Sequence, residues 1–231
     1  MKKIVVLTGA GISAESGIKT FRDADGLWEG HDVMSVASPE GWAKNQNLVL
    51  DFYNQRRKQL KEVRPNLGHL SLVKLEEKFE VVIVTQNVDD LHERAGSERI
   101  IHLHGELNKV SSTGIPSTII DWDGDLVAGD LCPKGFQLRP HIVWFGEMVP
   151  MLEPAIHECE TGDIFIIIGT SMQVYPAASL ISHAPRGSKI YYIDPKPNIS
   201  YELNRLSNVE VIEEIATTGV ERLIYKLMND E

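Results

Sequence analysis

Four uninterrupted apolar runs of strand length recur along the chain, at 4–7, 81–84, 164–168 and 190–193. Runs of this kind are typical of strands buried on both faces, as in a parallel sheet that is covered by helices. Helical patterns lie between and after them, at about 13–19, 47–63, 67–78, 176–184 and 217–228. Because strands and helices alternate, we expect an α/β fold built on a doubly wound, Rossmann-like parallel sheet.

Two stretches interrupt this alternation. Residues 25–66 are helical in pattern, whereas residues 105–140 are rich in Gly, Pro, Ser and Asp. We interpret both as inserts on the sheet, the first helical and the second a small module. A chain of 231 residues can bury a sizeable core. We therefore expect one domain over 1–231, with a Rossmann-like core formed by about 1–24, 67–104 and 141–231.

The charge balance and the cysteine content narrow the class of protein. Acidic residues outnumber basic ones by 33 to 23, giving a formal net charge of -10, and an acidic surface repels nucleic-acid phosphates. We expect no nucleic-acid partner and, without an apolar run near ~20 residues, no membrane span. The short apolar run after Lys3 enters a glycine turn, unlike a secretion signal. With only two cysteines, a reducing cytoplasm is the simplest location, and a monomer is the default state.

A glycine loop follows the first predicted strand, in Thr8-Gly-Ala-Gly-Ile-Ser-Ala14. Gly9 and Gly11 would allow a tight turn and a close approach to a diphosphate, which free amides at the next helix's start would face. The alternative is an ordinary strand–helix turn. An ordinary dinucleotide fold also needs a second strand that ends in an acid about 20 residues on. Residues 19–28 are instead polar and loop-like, so a hydride-transferring dehydrogenase fits poorly.

Five sequence blocks in order, at 9–23, 85–92, 102–105, 143–147 and 169–171, resemble the sirtuin family. The resemblance extends from about residue 3 to residue 226 and implies an NAD-dependent protein-lysine deacylase. In this sequence, the positions that it implies for binding NAD are Gly9, Ala10, Gly11, Ile12, Ser13, Ala14, Thr20, Phe21, Arg22, Trp28, Gln86, Asn87, Val88, Asp89, Gly169, Thr170, Ser171, Asp194, Pro195, Lys196 and Ala216. Asp194-Pro-Lys196 departs from the family's usual Asn-x-Glu, which leaves the adenosine contacts less defined.

Polar residues follow the predicted strand 81–84 directly. Ligand sites of parallel sheets lie at the carboxyl ends of strands, although Asn87 or Asp89 could instead cap the next helix. The resemblance implies that Gln86, Asn87 and Asp89 hold the nicotinamide half of NAD. It also implies that Phe21 shields the reactive ribosyl centre from water.

Two histidines, His102 and His104, would share a face of an extended segment. A metal pair is one interpretation, but no clear third ligand presents itself; a hydrogen-bonded core histidine is another. The resemblance implies that His104 is the general base, which activates a ribose hydroxyl to attack the acyl carbon. Free lysine, nicotinamide and O-acyl-ADP-ribose would be the products. A second hypothesis is a catalytically weak NAD sensor or a protein ADP-ribosyltransferase.

The block 143–147 resembles the strand that receives the acyl-lysine peptide by β-addition, which implies that Val143, Phe145 and Gly146 contact substrate. An ordinary core strand is the alternative. The implied partners are acyl-lysine proteins or peptides.

Tyr53 and Arg56 lie three apart on the helix predicted at 47–63, and therefore share a face. A hydroxyl beside a guanidinium suits a carboxylate, although a solvated basic face is the alternative. Phe-Tyr-x-x-Arg-Arg resembles the sirtuin subclass that prefers succinyl-, malonyl- or glutaryl-lysine. That likeness implies a clamp for the distal carboxylate, with Ala37 leaving room for a longer acyl chain.

Most sirtuins hold zinc in the small module through four cysteines, since structural zinc needs about four N/S ligands. Here no cysteine lies near 111–115, only Cys132 remains of the second pair, and Cys159 is outside the module. We therefore expect no metal and no zinc. We expect the module to be held by packing of its apolar residues, Ile115, Ile119, Ile120, Trp122, Leu126, Leu131 and Phe136.

Overall fold

The structure is a computed structural model that describes residues 1–19, 27–28, 30–199, 201–206 and 208–229. Numbered along the chain, its strands are β1 (Lys3–Thr8), β2 (Leu27–Trp28), β3 (His31–Asp32), β4 (Glu80–Thr85), β5 (Ile100–His102), β6 (Gly105–Ser112), β7 (Ile119–Asp121), β8 (Leu138–Ile142), β9 (Ile164–Ile168), β10 (Lys189–Ile193) and β11 (Val209–Ile212). The helices are α1 (Ala10–Ala14), α2 (Val33–Val36), α3 (Pro39–Lys44), α4 (Gln46–Glu62), α5 (Leu67–Leu75), α6 (Leu91–Ala95), α7 (Leu152–Glu160), α8 (Tyr201–Asn204) and α9 (Ala216–Asn229), with a 3-10 helix at Ala177–His183.

The main sheet, within the described residues, has six parallel strands in the order β11-β10-β9-β1-β4-β5. Alternate residues of β1 enter two separate cores, with Ile4 and Val6 on one face and Val5 and Leu7 on the other. Helices α5 and α9 cover the first face, whereas α7 and the 3-10 helix cover the second. Burial on both faces explains the continuous apolar runs and confirms the predicted α/β, Rossmann-like fold.

The predicted elements of the sheet differ from the structure mainly at the edges. Strands β5 and β11 were not predicted, because β5 has only three residues and β11 is exposed at two of its four positions. The helix predicted at 13–19 is wrong. Helix α1 ends at Ala14, and the chain turns through Gly17, whose φ of 102° lies in the left-handed region.

Helices α2, α3 and α4 lie in the stretch predicted to be a helical insert. Each begins at a side-chain cap, with Asp32, Ser38 and Asn45 accepting a backbone N–H in turn. The inner face of α4 buries Val49, Phe52 and Tyr53, which pack with Ile142 and Trp144. This apolar cluster joins the helical stretch to the segment that follows β8.

Strands β6, β7 and β8 form a separate antiparallel sheet in the order β7-β6-β8. The expected packing of this module is partly wrong, because Ile115, Ile119, Leu131 and Phe136 are exposed. Its core consists instead of Val110, Leu126, Cys132 and Leu138 packed on Leu50 of α4, with Ile120 and Trp122 at the margin. The module therefore buries its apolar residues against the helical stretch and has no separate core of its own. Among the described residues, no helix combines the length and apolar character needed to cross a bilayer.

Candidate active site

The glycine loop after β1 lies directly against the loop after β9. The Gly9 amide donates to the Ile168 carbonyl at 3.0 Å, and the Gly11 amide donates to the Gly169 carbonyl at 2.8 Å. A Cβ at Gly11 would lie 2.5 Å from Gly169 Cα, and one at Gly9 would lie 2.7 Å from Thr170 Cβ. These glycines are therefore required by the contact between two loops, and their amides are engaged there.

Three polar side chains form a buried network at the carboxyl ends of β1 and β4. Ser13 Oγ donates to Asp89 Oδ2 at 2.9 Å and accepts from Asn87 Nδ2 at 3.1 Å. Asp89 Oδ1 accepts the Leu91 amide at 3.1 Å, so Asp89 also caps the start of α6. Burial raises the pKa of Asp89 to about 6, although the bonds from Leu91 and Ser13 oppose this shift. The network holds a carboxyl that can change its charge near neutral pH.

Two buried histidines that the sequence did not single out support this network. His69 Nδ1 lies 3.4 Å from the Asn66 amide nitrogen and 3.2 Å from Asn66 Oδ1, and its Nε2 lies 3.5 Å from Ser13 Oγ. His92 Nε2 lies 3.1 Å from Thr8 Oγ1, and the two rings are 5.0 Å apart. Burial lowers the pKa of His69 to about 4 and that of His92 well below its usual value, so both rings are neutral at pH 7. The Asn-x-x-His spacing of the capping box at the start of α5 could have pointed to His69.

His104 lies in the turn between β5 and β6, half-buried beside this network. Its Nδ1 donates to the Gln86 carbonyl at 2.9 Å, an assignment that leaves Nε2 as the unprotonated nitrogen. Burial lowers the pKa of His104, and the bond to Gln86 only partly opposes this. The next residue has to be glycine, because Gly105 has a φ of 83° and a Cβ there would lie 2.0 Å from the His141 carbonyl oxygen. The ring is thus held as a neutral imidazole.

The interpretation of His102 and His104 as a metal pair is wrong, because β5 ends at His102 and the chain turns before His104. His102 Nε2 bonds to Glu93 Oε1 at 2.6 Å, and one oxygen of Glu106 completes a group whose ligand atoms lie within 4.8 Å. Burial lowers the pKa of His102, but Glu93 and Glu106 outweigh it and raise the pKa overall. Lys109 pairs with Glu106 at 2.8 Å, so ion pairs account for these charges.

The remaining cofactor candidates are spread along the same edge of the sheet. Gln86 Nε2 donates to Thr170 Oγ1 at 3.1 Å, which links the ends of β4 and β9. Asp194 is buried directly after β10, and its Oδ1 accepts the Lys196 amide at 2.8 Å. Ala216 begins α9 beside Gly68. By contrast, Ile12 is fully buried in the core, and Ala14, Pro195 and Lys196 are exposed. Thr20, Phe21 and Arg22 lie outside the described residues.

The predicted peptide-binding residues follow the small sheet instead of forming a strand. Strand β8 ends at Ile142, and Val143, Phe145 and Gly146 lie in the extended turn after it. The Val143 amide donates to the His104 carbonyl at 2.9 Å, and the Phe145 amide donates to the Ala37 carbonyl at 3.0 Å. The segment therefore lies beside the candidate base, but the sequence expectation of a continuing strand is wrong, because the backbone turns at Gly146 with a φ of 90°.

Comparison with known proteins agrees with this geometry. Residues 9–176 match the sequence profile of the Sir2 family. The chain is 59% identical over 228 residues to a protein of Helicobacter pylori (strain ATCC 700392 / 26695) named NAD-dependent protein deacylase, and the match covers 99% of this chain and 98% of the relative.

This chain belongs to the Sir2 family. It superposes with a TM-score of 0.88 on the crystal structure of a Sir2 homologue–NAD complex, at 38% identity and covering 98% of this chain and 90% of that one. A Sir2 structure described as bound to acetylated peptide superposes with a TM-score of 0.79, at 27% identity and covering 99% of this chain and 94% of that one.

In this Sir2 chain, the predicted acyl residues form a second group, away from the sheet edge. Tyr53 is fully buried, and its hydroxyl accepts a hydrogen bond from Trp144 Nε1 at 3.1 Å. Arg56 is half-buried with its guanidinium 4.7 Å from the Phe52 ring centroid. Trp28, a predicted NAD contact, packs edge-on against Phe52 and Tyr53, at 4.8 and 6.1 Å. The solvated-face alternative therefore fails for Tyr53, whereas Arg56 keeps part of its surface exposed. The turn at 143–147 connects Tyr53 to His104.

The module of this Sir2 chain lacks the donor set for a structural zinc. Where two Cys-x-x-Cys loops would meet, Ser112 Oγ donates to Cys132 Sγ at 3.3 Å and accepts the Gly114 amide at 3.0 Å. The hydroxyl bond lowers the pKa of the Cys132 thiol. One thiol with a hydroxyl does not supply the four N/S ligands that tetrahedral zinc needs, so the residues present do not fit the metal.

Proposed function

We propose that this protein is an NAD-dependent protein-lysine deacylase that removes acidic acyl groups, succinyl and malonyl above all, and also accepts acetyl-lysine. The observation that carries the reaction class is the placement of a neutral His104 beside Gln86 and the Ser13–Asn87–Asp89 network at the carboxyl edge of the sheet. Family membership and relatives named NAD-dependent protein deacylases support it. Acyl-lysine proteins would be the partners.

The polar groups at the sheet edge suit NAD as the co-substrate. Carboxamide, carboxyl and hydroxyl groups from Asn87, Asp89 and Ser13 match the hydrogen-bonding groups of a nicotinamide riboside, and Thr170 extends the set along the edge. Asp194 and Ala216 would hold the adenosine half. Bound NAD would supply the ribosyl carbon to which the acyl oxygen bonds, and nicotinamide would be released.

The protein's own contribution is to hold and orient a base. With Nδ1 bonded to the Gln86 carbonyl, His104 Nε2 is free to accept a proton from a ribose hydroxyl. The pKa of His104, lowered by burial, keeps the ring neutral through the physiological range. The hydroxyl can then attack the acyl carbon. The lysine amine would leave with the proton that His104 took up, and one water would add to the acyl carbon, so that O-acyl-ADP-ribose and free lysine are the products.

His104→Ala tests the assignment of the base. We expect turnover of an acyl-lysine peptide to fall by at least about 100-fold, the usual contribution of general-base catalysis, because the variant lacks the imidazole that takes the proton. NAD affinity, measured by isothermal titration calorimetry, should stay within about threefold, since Ser13, Asn87 and Asp89 are unchanged. His157→Ala, on the exposed side of α7, is the matched control. Near-normal turnover in His104→Ala would exclude the assignment.

The preference for acidic acyl groups rests on Tyr53 and Arg56 on α4. Tyr53 is tied to the turn at 143–147 that follows the candidate base by the bond from Trp144, and Arg56 lies one helical turn further along α4, over the Phe52 ring. Burial raises the pKa of Tyr53 far above neutrality, so its hydroxyl stays a donor, while arginine stays charged. Because Tyr53 is fully buried beside Trp28 and Phe52, an acyl carboxylate would reach it only if neighbouring rings move.

Arg56→Met tests the acyl preference. With one peptide carrying either succinyl-lysine or acetyl-lysine, we expect kcat/KM for succinyl to fall about 30-fold, as when a charged hydrogen bond of about 2 kcal/mol is lost. The acetyl value should change less than threefold. Lys58→Met removes a cation from the same helix at an exposed position and should change neither. Both reactions are followed by mass spectrometry. An equal loss of kcat/KM for the two peptides would contradict the preference for acidic acyl groups, although the protein could still be a deacylase.

We also propose that the module works without structural zinc. The carrying observation is the Ser112–Cys132 contact where a Sir2 zinc site would need four ligands. In its place, buried polar contacts tie the module to α4. Asn54 exchanges two hydrogen bonds with the Leu126 backbone, and Arg57 donates to the Leu107 carbonyl at 2.8 Å.

A further inference from the structure

Trp144 and Tyr53 share a hydrogen bond inside the apolar cluster between α4 and the end of β8. The indole Nε1 donates to the Tyr53 hydroxyl at 3.1 Å. Both side chains are buried, with 2% of Trp144 and 0% of Tyr53 exposed. The bond therefore forms away from water, where an unmatched polar group is costly.

The direction of this bond fixes what the tyrosine can do. An indole N–H can only donate, so Tyr53 has to accept with a lone pair, and its own proton has to point elsewhere. Among the described residues, no group accepts that proton, since the contact with Trp144 is the one hydrogen bond found for Tyr53. Tyr53 thus presents a buried donor that lacks an acceptor, and an ionised carboxylate consists only of acceptors.

The tryptophan is itself held in place from two sides. The Arg139 guanidinium lies 3.4 Å from the Trp144 ring centroid, a cation–π contact at close range. Arg139 forms a two-pronged pair with Glu147, at 2.6 and 3.1 Å. Glu147 Oε2 also accepts the Trp144 amide at 2.8 Å. Backbone and ring are therefore both constrained, which gives the indole N–H a fixed direction.

We propose that Trp144 is a positioning residue for acyl selectivity, whose indole N–H turns the Tyr53 hydroxyl into an obligate donor for the distal carboxylate of the acyl group. This inference rests on the proposed preference for acidic acyl groups. Trp144 itself does not contact the acyl group and acts through Tyr53. Acetyl-lysine has no carboxylate at that end, so the device matters only for acidic acyl groups.

Trp144→Phe tests the inference, because phenylalanine keeps an aromatic ring and removes the N–H. With the same peptide in succinyl and acetyl forms, we expect kcat/KM for succinyl to fall about tenfold, mostly through KM, as for one hydrogen bond to a charged group. The acetyl value should stay within about twofold. Trp42→Phe is the matched control, because Trp42 packs 5.7 Å from the Trp144 ring in the same cluster. It should leave the succinyl-to-acetyl ratio unchanged.

A double-mutant cycle separates positioning from packing. In a Tyr53→Phe background there is no hydroxyl to direct, so adding Trp144→Phe should not change the succinyl-to-acetyl ratio further. If Trp144→Phe lowers both activities equally, or if its effect on the ratio persists in the Tyr53→Phe background, the inference is wrong. The proposed function would survive that result as long as Arg56→Met and Tyr53→Phe still lower the succinyl activity much more than the acetyl activity. If those two variants are not selective, the acyl preference itself fails, and the positioning role with it.

A second measurement applies if Trp144→Phe does not fold. In 15N-labelled wild-type protein, the indole N–H resonance of Trp144 can be assigned by elimination with phenylalanine variants of the other three tryptophans, Trp28, Trp42 and Trp122. Donation by Tyr53 to a carboxylate makes its oxygen a better acceptor. The resonance should therefore move downfield with a succinyl peptide and not with its acetyl form. Equal responses to both peptides would overturn the inference.

Discussion

At the residue scale, burial decides the charge of the groups beneath the candidate site. His69 is fully buried with a pKa lowered to about 4, while burial raises the pKa of Asp89 to about 6. Ser13 contacts both, at 3.5 Å from His69 Nε2 and 2.9 Å from Asp89 Oδ2. At pH 7 the network therefore contains a neutral imidazole and an ionised carboxyl, the arrangement that best orients the Ser13 hydroxyl as a donor to Asp89.

His69→Gln should flatten the acid side of the stability profile. The unfolded histidine titrates near 6.5 and the folded one near 4, so the unfolded chain binds more protons between these values. The free energy of unfolding contributed by a neutral His69 is complete above pH 6.5 and is lost as pH falls towards 4. At about 1.4 kcal/mol per pKa unit, the loss amounts to about 3 kcal/mol. The raised pKa of Asp89 has the opposite effect on stability between pH 3.8 and about 6. Because Asp89 is present in both the wild type and the variant, this effect cancels in the comparison.

Urea unfolding between pH 4.5 and 7 measures this difference. The variant should lose less stability on acidification than the wild type, whereas His157→Gln, at an exposed position, should follow the wild-type profile. If the free energy of unfolding of His69→Gln depends on pH as steeply as that of the wild type, His69 is not buried in its neutral form.

At the element scale, buried side chains of α4 hold the module through hydrogen bonds to its backbone. Asn54 Oδ1 accepts the Leu126 amide at 2.9 Å, and Asn54 Nδ2 donates to the Leu126 carbonyl at 3.0 Å. Arg57 adds bonds to the Leu107 and Gly124 carbonyls, at 2.8 and 3.2 Å. Because Asn54 and Arg57 are buried, these bonds are costly to break without replacement. They hold the loop before β8 against the helix.

Asn54→Ala should therefore loosen the module. It leaves the Leu126 amide and carbonyl unpaired in a buried position, which should cost about 3 kcal/mol. Hydrogen exchange followed by mass spectrometry should show faster exchange at 120–138 than in the sheet strands β1 and β9. Gln55→Ala removes a side chain that bonds to exposed Asp51 and should change stability by less than about 0.5 kcal/mol. Uniform destabilisation without faster exchange in the module would contradict the role given to Asn54.

At the scale of the whole molecule, the sheet and its two attached stretches meet at one edge. The candidate base His104 lies in the turn that leaves the sheet for the module, and its carbonyl accepts the amide of Val143, where the chain returns. The helical stretch joins the same place through the bond from the Phe145 amide to Ala37. Stability of the module and the position of His104 are therefore coupled through this crossing.

Chelation tests this metal-free organisation of the molecule. Purified, tag-free protein should contain less than about 0.1 zinc per chain by elemental mass spectrometry, and an excess of EDTA should leave the thermal midpoint within about 1 °C, because removing a structural zinc would remove folding free energy. Cys132→Ser should retain deacylase activity. Stoichiometric zinc in the purified protein, or a large fall of the thermal midpoint with EDTA, would contradict the proposal that the module works without zinc.

The sequence by itself determined the parallel sheet and the polar residues that directly follow its strands. Continuous apolar runs require strands buried on both faces, and polar residues such as Asn87 and Asp89 directly after a strand have to lie at its end. His104 was recognised from the ordered sequence blocks that resemble the sirtuins. These are local properties, since each depends on a few consecutive residues.

Only the tertiary structure decided which distant groups meet. The close approach of Gly11 to Gly169, the contact of His69 with Ser13 and the bond from Trp144 to Tyr53 join residues at least 56 positions apart, and no periodicity reports such a pair. Edge strands β5 and β11 are short and half-exposed, so the neighbouring strand defines them more than their own apolar content. Ile115 and Phe136 of the module are exposed although they are apolar. The sequence could not show this, because the surface of α4 on which the module packs decides which of its apolar residues are buried.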